Sequence, residues 1–357
     1  MRSAGRLQWR MFAASLWVAQ GLLLGACGGG SDDAAPEFSS TAVAPESAVS
    51  IGRAFNLAHK RRAPSYARKG VTAIAVATEG KSIGVADSDG RVRMLDGSGA
   101  RELRVLKVQG GAVAAGLNFS ADGRYLVMVG RDSAAQLWSA ETGELVFTLR
   151  GHESALRSVA ASADGSVIAT GGEDTRVMVW DGATGRLKRV LRGHTDFVNA
   201  LNLSADGRLL ASGDGDARIL VWSVETGQLL YTLRGHSDEV TAVAFSANGK
   251  LLASAAEDGK VLLWDMVIGH PAQALEGHRA TVRSLAFSSD SGLLASGAVD
   301  GRVVVWDMAT RNVSQDLAAS SAAINAVAFG TSNGKQLFSG NEDGQVFSWN
   351  LLRATAR

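Results

Sequence analysis

The sequence predicts an all-β chain folded as a seven-bladed propeller, with four-stranded antiparallel blades and a ring closed by an N-terminal strand that joins the last blade. Three observations lead there. Trp138, Trp180, Trp222, Trp264, Trp306 and Trp349 recur in steps of 42, 42, 42, 42 and 43 residues, each closing a short β-prone run. A related unit ends at Leu95, 43 residues before Trp138, which makes seven copies. The chain holds 42 glycines and only 4 prolines, as expected where tight turns are many. A period of about 40–45 residues with several short strands per copy is the signature of a propeller blade.

Within each copy the strands follow in a fixed order. First comes an apolar, alanine-rich run such as residues 241–245 or 284–287, read as the innermost strand. Both of its faces pack against neighbouring blades, so strict alternation is lost. A hairpin turn follows, Ser-Ala-Asp-Gly at 120–123, 162–165 and 204–207 and Ser-Ala-Asn-Gly at 246–249. Asp-Gly and Asn-Gly supply the positive backbone angle that such turns need. The second strand ends in Leu-Leu-Ala-Ser at Ser212, Ser254 and Ser296, and a turn centred on aspartate leads into the tryptophan strand. A third turn, ending at Gly143, Gly185 or Gly227, opens the outer strand.

The last blade is short. Eleven residues separate Trp138 from Leu149 at the end of its outer strand, but only eight follow Trp349. Upstream, residues 49–57 place Val49, Ile51, Phe55 and Leu57 at odd positions, as a strand should. This strand is predicted to lie beside residues 345–349 and to protect an otherwise open sheet edge.

Finer markers carry a family resemblance. Gly-His pairs occur at His152, His194, His236 and His278, and an aspartate follows each histidine by 22 residues, at Asp174, Asp216, Asp258 and Asp300. A hydroxyl residue stands four before each aspartate (Thr170, Ser212, Ser254, Ser296), and a tryptophan six after it (Trp180, Trp222, Trp264, Trp306). Over about residues 49–352 this combination resembles the WD40 repeat family. The resemblance implies that each set is a structural hydrogen-bond chain inside a blade, running from indole through hydroxyl and imidazole to carboxylate. His194, Ser212 and Asp216 also look like a hydrolase triad. Four copies at one spacing fit repeated struts better than one active site, so no catalytic residue is expected. Blades three to six carry the whole set. Blade two has Gly110 and Met128 at the histidine and hydroxyl places, and blade one has Val85 and Leu95 at the hydroxyl and tryptophan places. Blade seven keeps Ser339, Asp343 and Trp349 but has no histidine. The resemblance further implies a platform for protein or peptide partners, with Arg131, Arg157, Phe197, Asn199, Glu239 and Arg283 as contact candidates beside Glu257, Asn325 and Glu342.

The N-terminus carries a separate signal. Arg2, Arg6 and Arg10 precede an uncharged apolar run over residues 11–26, shorter than the roughly 20 apolar residues of a membrane-spanning helix. The run ends in Leu24, Gly25 and Ala26 before Cys27, the only cysteine of the chain. This resembles the lipobox of bacterial lipoproteins, and it implies a signal peptide over 1–26 and a lipidated Cys27. Gly28 rather than aspartate follows, which in proteobacterial lipoproteins implies the outer membrane, at its periplasmic face. Residues 27–48 are rich in Gly, Ser, Ala, Pro and acid and read as a flexible tether. The propeller is expected over 49–357, as a monomer.

The remaining composition excludes more than it suggests. A net charge of +1 predicts no nucleic-acid partner. No CxxC or HExxH arrangement is present, and no metal or cofactor is expected. The basic run over residues 59–69 reads as a solvated loop before blade one, or as a contact for anionic lipid or an acidic partner. The expected function is a membrane-tethered interaction scaffold of the cell envelope. An enzyme or small-ligand binder using the central channel is the alternative.

Overall fold

The computed structural model describes residues 37–39, 59–62, 70–77, 81–108, 113–120, 123–267, 273–330 and 335–351. Seven separate sheets each form one blade, antiparallel except for one added parallel edge strand on blade 4. Their inner strands are Val71–Val76, Ala114–Phe119, Leu156–Ala161, Val198–Leu203, Val240–Phe245, Val282–Phe287 and Ile324–Phe329. In blades 1 to 6 the chain then steps outward through three more strands, as in Val167–Gly172, Val177–Asp181 and Leu187–Leu191 of blade 3.

The first hairpin shows how the sequence dictates the path. Ser162 Oγ donates to Asp164 Oδ1 at 2.6 Å and accepts from Val167 N–H at 3.0 Å, while Gly165 sits at φ 69°. Blade 6 has Ser291 at that place, also left-handed at φ 59°. Its Oγ accepts from Asn248 N–H of blade 5 at 3.0 Å, a bond glycine could not make.

The core is not central but divided among the blade interfaces. Seven apolar clusters each join one blade to the next, and the seventh joins blade 7 to blade 1 through Phe338, Val346 and Ala326 against Val71, Ile74, Ile83 and Leu95. Small residues on the second strand permit the approach. A Cβ on Gly171, Gly213, Gly297 or Gly340 would lie 2.4–2.6 Å from a side-chain carbon of the following blade's inner strand.

Every inner strand carries the same irregularity. Pairing skips one residue near its start, at Thr72, Ala115, Arg157, Asn199, Thr241, Arg283 and Asn325. Such a bulge leaves the extra residue outside the ladder and re-aims its side chain.

Two N-terminal expectations change. The strand paired with the last blade is His59–Arg62, antiparallel to Val346–Asn350 with His59 opposite Asn350 and Arg62 opposite Phe347. Residues 49–57, predicted for that place, lie outside the described residues. The basic run is therefore not wholly a loop, because its first four residues are a strand. The free edge asks only for backbone donors and acceptors, so polar side chains serve as well as apolar ones. Within the segment read as a tether, Glu37–Ser39 pairs in parallel with Thr232–Arg234 on the outer edge of blade 4.

Candidate interaction surface and the buried histidine networks

In blade 3 the predicted chain is complete. Trp180 Nε1–H donates to Thr170 Oγ1 at 2.8 Å, His152 Nε2 meets the same oxygen at 2.8 Å, and His152 Nδ1 meets Asp174 at 2.9 Å. Asp174 also accepts the backbone N–H groups of Glu153 and Arg176. Blade 5 repeats this with Trp264, Ser254, His236 and Asp258 at 2.9, 2.8 and 3.1 Å. Burial opposes the charge on Asp258. The His236 hydrogen bond and charge and the N–H groups of Lys260 and Ser237 outweigh it and hold the carboxyl at about 2.

Blade 4 departs from the prediction. His194 Nδ1 meets Asp214 Oδ2 at 2.7 Å, and Asp216, expected there, bonds Thr195 instead. Trp222, Ser212 and His194 are linked as predicted, at 2.8 and 2.6 Å. The cause lies two residues upstream. Blades 3, 5 and 6 have Gly172, Ala256 and Ala298 at the end of the second strand, and in blades 3 and 5 it is the turn aspartate that meets the histidine. Asp214 fills that space from the strand itself, on the same face as Ser212. Its Oδ1 accepts from the N–H groups of Asp216 and Arg218 at 3.1 and 3.0 Å. Asp87 in blade 1 caps its turn in the same way, accepting from Asp89 and Arg91. In blade 7 Asn341 accepts from Gln345 N–H and donates to Ser320, which holds the histidine place.

Blade 6 is a second correction. His278 Nε2 meets Ser296 Oγ at 2.5 Å, but Nδ1 stays 3.6 Å from Asp300, and Trp306 Nε1 has no partner. Arg302 competes for this corner, bonding Asp316 and the Gly277 carbonyl. Burial holds His278 below the usual imidazole range, against the pull of Asp300. In blade 2, where Met128 replaces the hydroxyl, Trp138 Nε1 is likewise buried without a partner. Blade 1 builds a different polar core, in which Arg93 donates to Glu102 at 2.7 Å and lies 3.8 Å from the fully buried Asp87.

These networks lie inside blades, where a partner cannot reach them. The rim candidates gather elsewhere. The seven bulge residues line the mouth of a central channel of about 190 Å³, walled by small side chains such as Ala73, Gly116, Ala200 and Ala242. Most of them reach the next blade. Thr72 donates to Ala114 O, Arg157 to Asn199 Oδ1, Asn199 to Glu239, Thr241 to Val282 O, Arg283 to Asn325 Oδ1 and Asn325 to Val71 O. Only Ala115, which has nothing to donate, interrupts this belt. Arg157 is also paired with Glu173 at 3.0 Å, and its guanidinium lies 4.7 Å from the Phe197 ring centre. Arg131, Glu257 and Glu342 are exposed on turns between second and third strands and are not among the residues that line the channel. Cys27 lies outside the described residues. Among the described residues no group of three or more His, Cys, Asp or Glu is placed to hold a metal.

Thr72, Thr241 and Asp214 are the members that motif spacing missed. The bulge positions repeat at 42 or 43 residues like the tryptophans, and Asp214 stands in the sequence two before Asp216.

The fold and the blade networks together define a repeat propeller whose blades are variations on one unit. Comparison with protein families agrees: the model of the WD domain, G-beta repeat, matches residues 143–181, 185–223, 227–265 and 269–307. Four segments of the chain thus match the WD40 repeat within a seven-bladed propeller. Each match covers the outer strand of one blade and ends with the tryptophan strand of the next. No curated protein matches the chain in sequence.

Proposed function

We propose that this chain is a lipid-anchored, non-catalytic platform that holds protein partners in the bacterial cell envelope, at the periplasmic face of the outer membrane. WD40 propellers are generally interaction scaffolds, and the anchor rests on Cys27 in its lipobox-like context. One observation supports a partner-binding face above all. Immediately before the inner strands, seven equivalent places hold Gly70, Val113, Ala155, Phe197, Glu239, Thr281 and Ala323. The interior repeats from blade to blade, but this rim does not. Phe197 is 40% exposed there with a guanidinium stacked on it, and exposed aromatics beside arginine dominate binding hot spots.

Crosslinking and affinity capture from the native envelope test the platform, with the double variant Phe197→Ala/Arg283→Ala as control. Envelope proteins captured by the native chain and lost with the variant are expected. Equal capture by both refutes the rim. Cys27→Ala is expected to release the protein from the membrane fraction, and retention there would refute the anchor.

A further inference from the structure

The bulge residues form a pattern that blade repetition does not require. Around the ring from blade 3 they are Arg157, Asn199, Thr241, Arg283, Asn325, Thr72 and Ala115. Arg-Asn-Thr thus occurs twice, three blades apart, with alanine in the seventh place. The two runs bond alike: each arginine donates to the next asparagine, and each threonine to a carbonyl of the following blade.

They differ in charge compensation. Arg157 has a carboxylate in Glu173 and an aromatic face in Phe197. Three blades on, the place of Glu173 is held by Val299 and that of Phe197 by Ala323. Arg283 therefore keeps its amide partner, Asn325 Oδ1 at 2.5 Å, but among the described residues no carboxylate pairs with it. It is exposed, and it lines the channel mouth. Among the described residues no Asp or Glu lines the channel itself, and the carboxylates beside it, Glu173 and Glu239, are engaged with Arg157 and Asn199; its charged lining is two guanidiniums, one of them already neutralised.

We propose that Arg283 is a receptor for a carboxylate side chain, presented by an acidic peptide segment of a protein partner that enters the channel mouth. The carboxylate takes the place that Glu173 takes beside Arg157. Its two oxygens match the planar donor fork of a guanidinium, a pairing that gives direction as well as strength. The alanine and glycine walls below the belt accommodate the methylene stem of a glutamate, and the volume admits a side chain but no folded element. This rests on the platform function proposed for the same face and names the chemical group recognised there.

The test uses the full chain in detergent micelles. A blocked tripeptide, Ac-Gly-Glu-Gly-NH2, its glutamine twin and free acetate are titrated, with saturation-transfer NMR and calorimetry as readouts. Saturable binding of the glutamate peptide is expected, weakened at least about tenfold in the glutamine twin and in Arg283→Gln, and reduced by high salt. Val299→Glu supplies the missing internal carboxylate on a half-buried turn, as Glu173 does in blade 3, and is expected to suppress binding to the same degree, which covers the case that Arg283→Gln fails to fold. Arg208→Gln, on a hairpin far along the strand from the mouth, is expected to bind as the native chain does. Equal binding of the glutamate and glutamine peptides, or native-like binding by either Arg283→Gln or Val299→Glu, overturns the proposal. Acetate binding as tightly as the peptide overturns the assignment to a peptide. Envelope capture that depends on Phe197 but not on Arg283 leaves the platform standing and removes this site. Peptide binding without any envelope partner does the reverse.

Discussion

Asp214 has no exposed surface, holds His194 at 2.7 Å, caps two backbone N–H groups and takes an Arg218 contact at 3.0 Å. Removing it strands all of these in a low-dielectric interior, where an unpaired partner is costly. Asp216 is exposed by about half at its side chain and meets Thr195 and, at 3.6 Å, Arg218. Asp214→Ala is expected to cost about 3 kcal/mol in urea unfolding and Asp216→Ala within about 0.5 kcal/mol. Equal losses would restore the spacing-based assignment. The same buried carboxylates set the acid limit. Asp258 is held at about 2 from an ordinary 3.8, and Asp174 and Asp214 are also lowered, in each case against burial, by hydrogen bonds and by their histidines. A depressed folded value means stability fully present above about pH 4 and lost as pH falls toward 2. Asp258→Asn is expected to flatten the slope of stability against pH in that window, by on the order of 2 kcal/mol across it. An unchanged slope would remove Asp258 from the acid transition.

Strands and turns show how much variation the blade unit tolerates. The turn after the second strand is capped from the strand end in blades 1, 4 and 7, and from the turn itself in blades 3, 5 and 6. Both solutions satisfy the same N–H groups, so the blade survives the exchange of one aspartate for another. The His59–Arg62 strand is less replaceable. It supplies the ladder for residues 347–350 of the last blade. Without it, Val346–Asn350 presents an open edge, which favours fraying and edge-to-edge association. Deleting residues 59–62 is expected to broaden thermal unfolding and to add concentration-dependent aggregation. A single sharp, concentration-independent transition would show that the strand is dispensable.

At the scale of the ring, stability is shared among seven interfaces, and a closed ring depends on the one between blades 7 and 1. The chain does not tie those two blades except through the N-terminal strand. Packing of Val71 and Ile74 on Phe338 and Val346 holds them, with the Asn325 to Val71 hydrogen bond at 2.8 Å. Gly340 permits this contact, since a Cβ there would stand 2.5 Å from Val71 Cγ1 and 2.9 Å from Ile74 Cδ1. Gly340→Val is expected to lower stability by about 3 kcal/mol through overpacking and to expose the interface to proteolysis first near blade 1. Cleavage distributed as in the native chain would contradict a weak closing seam.

By itself the sequence determined the number of blades, the order of strands and the residues of most hydrogen-bond chains. These follow from local chemistry repeated at a constant period: Asp-Gly turns, apolar inner runs, and a tryptophan and hydroxyl at fixed offset. The tertiary structure decided what offsets cannot encode. Asp214 displaced Asp216 because two carboxylates competed for one space. Blade 6 lost its tryptophan bond and moved Asp300 out of reach of His278, where Arg302 also bonds Asp316 and the Gly277 carbonyl. The closing strand proved to be His59–Arg62, because a free edge selects backbone groups and not an apolar pattern. Arg157 and Arg283 stand 126 residues apart in the sequence. Only the closure of seven blades about one axis brings them to a common channel mouth, and only their neighbours in space leave one guanidinium paired and the other without a carboxylate.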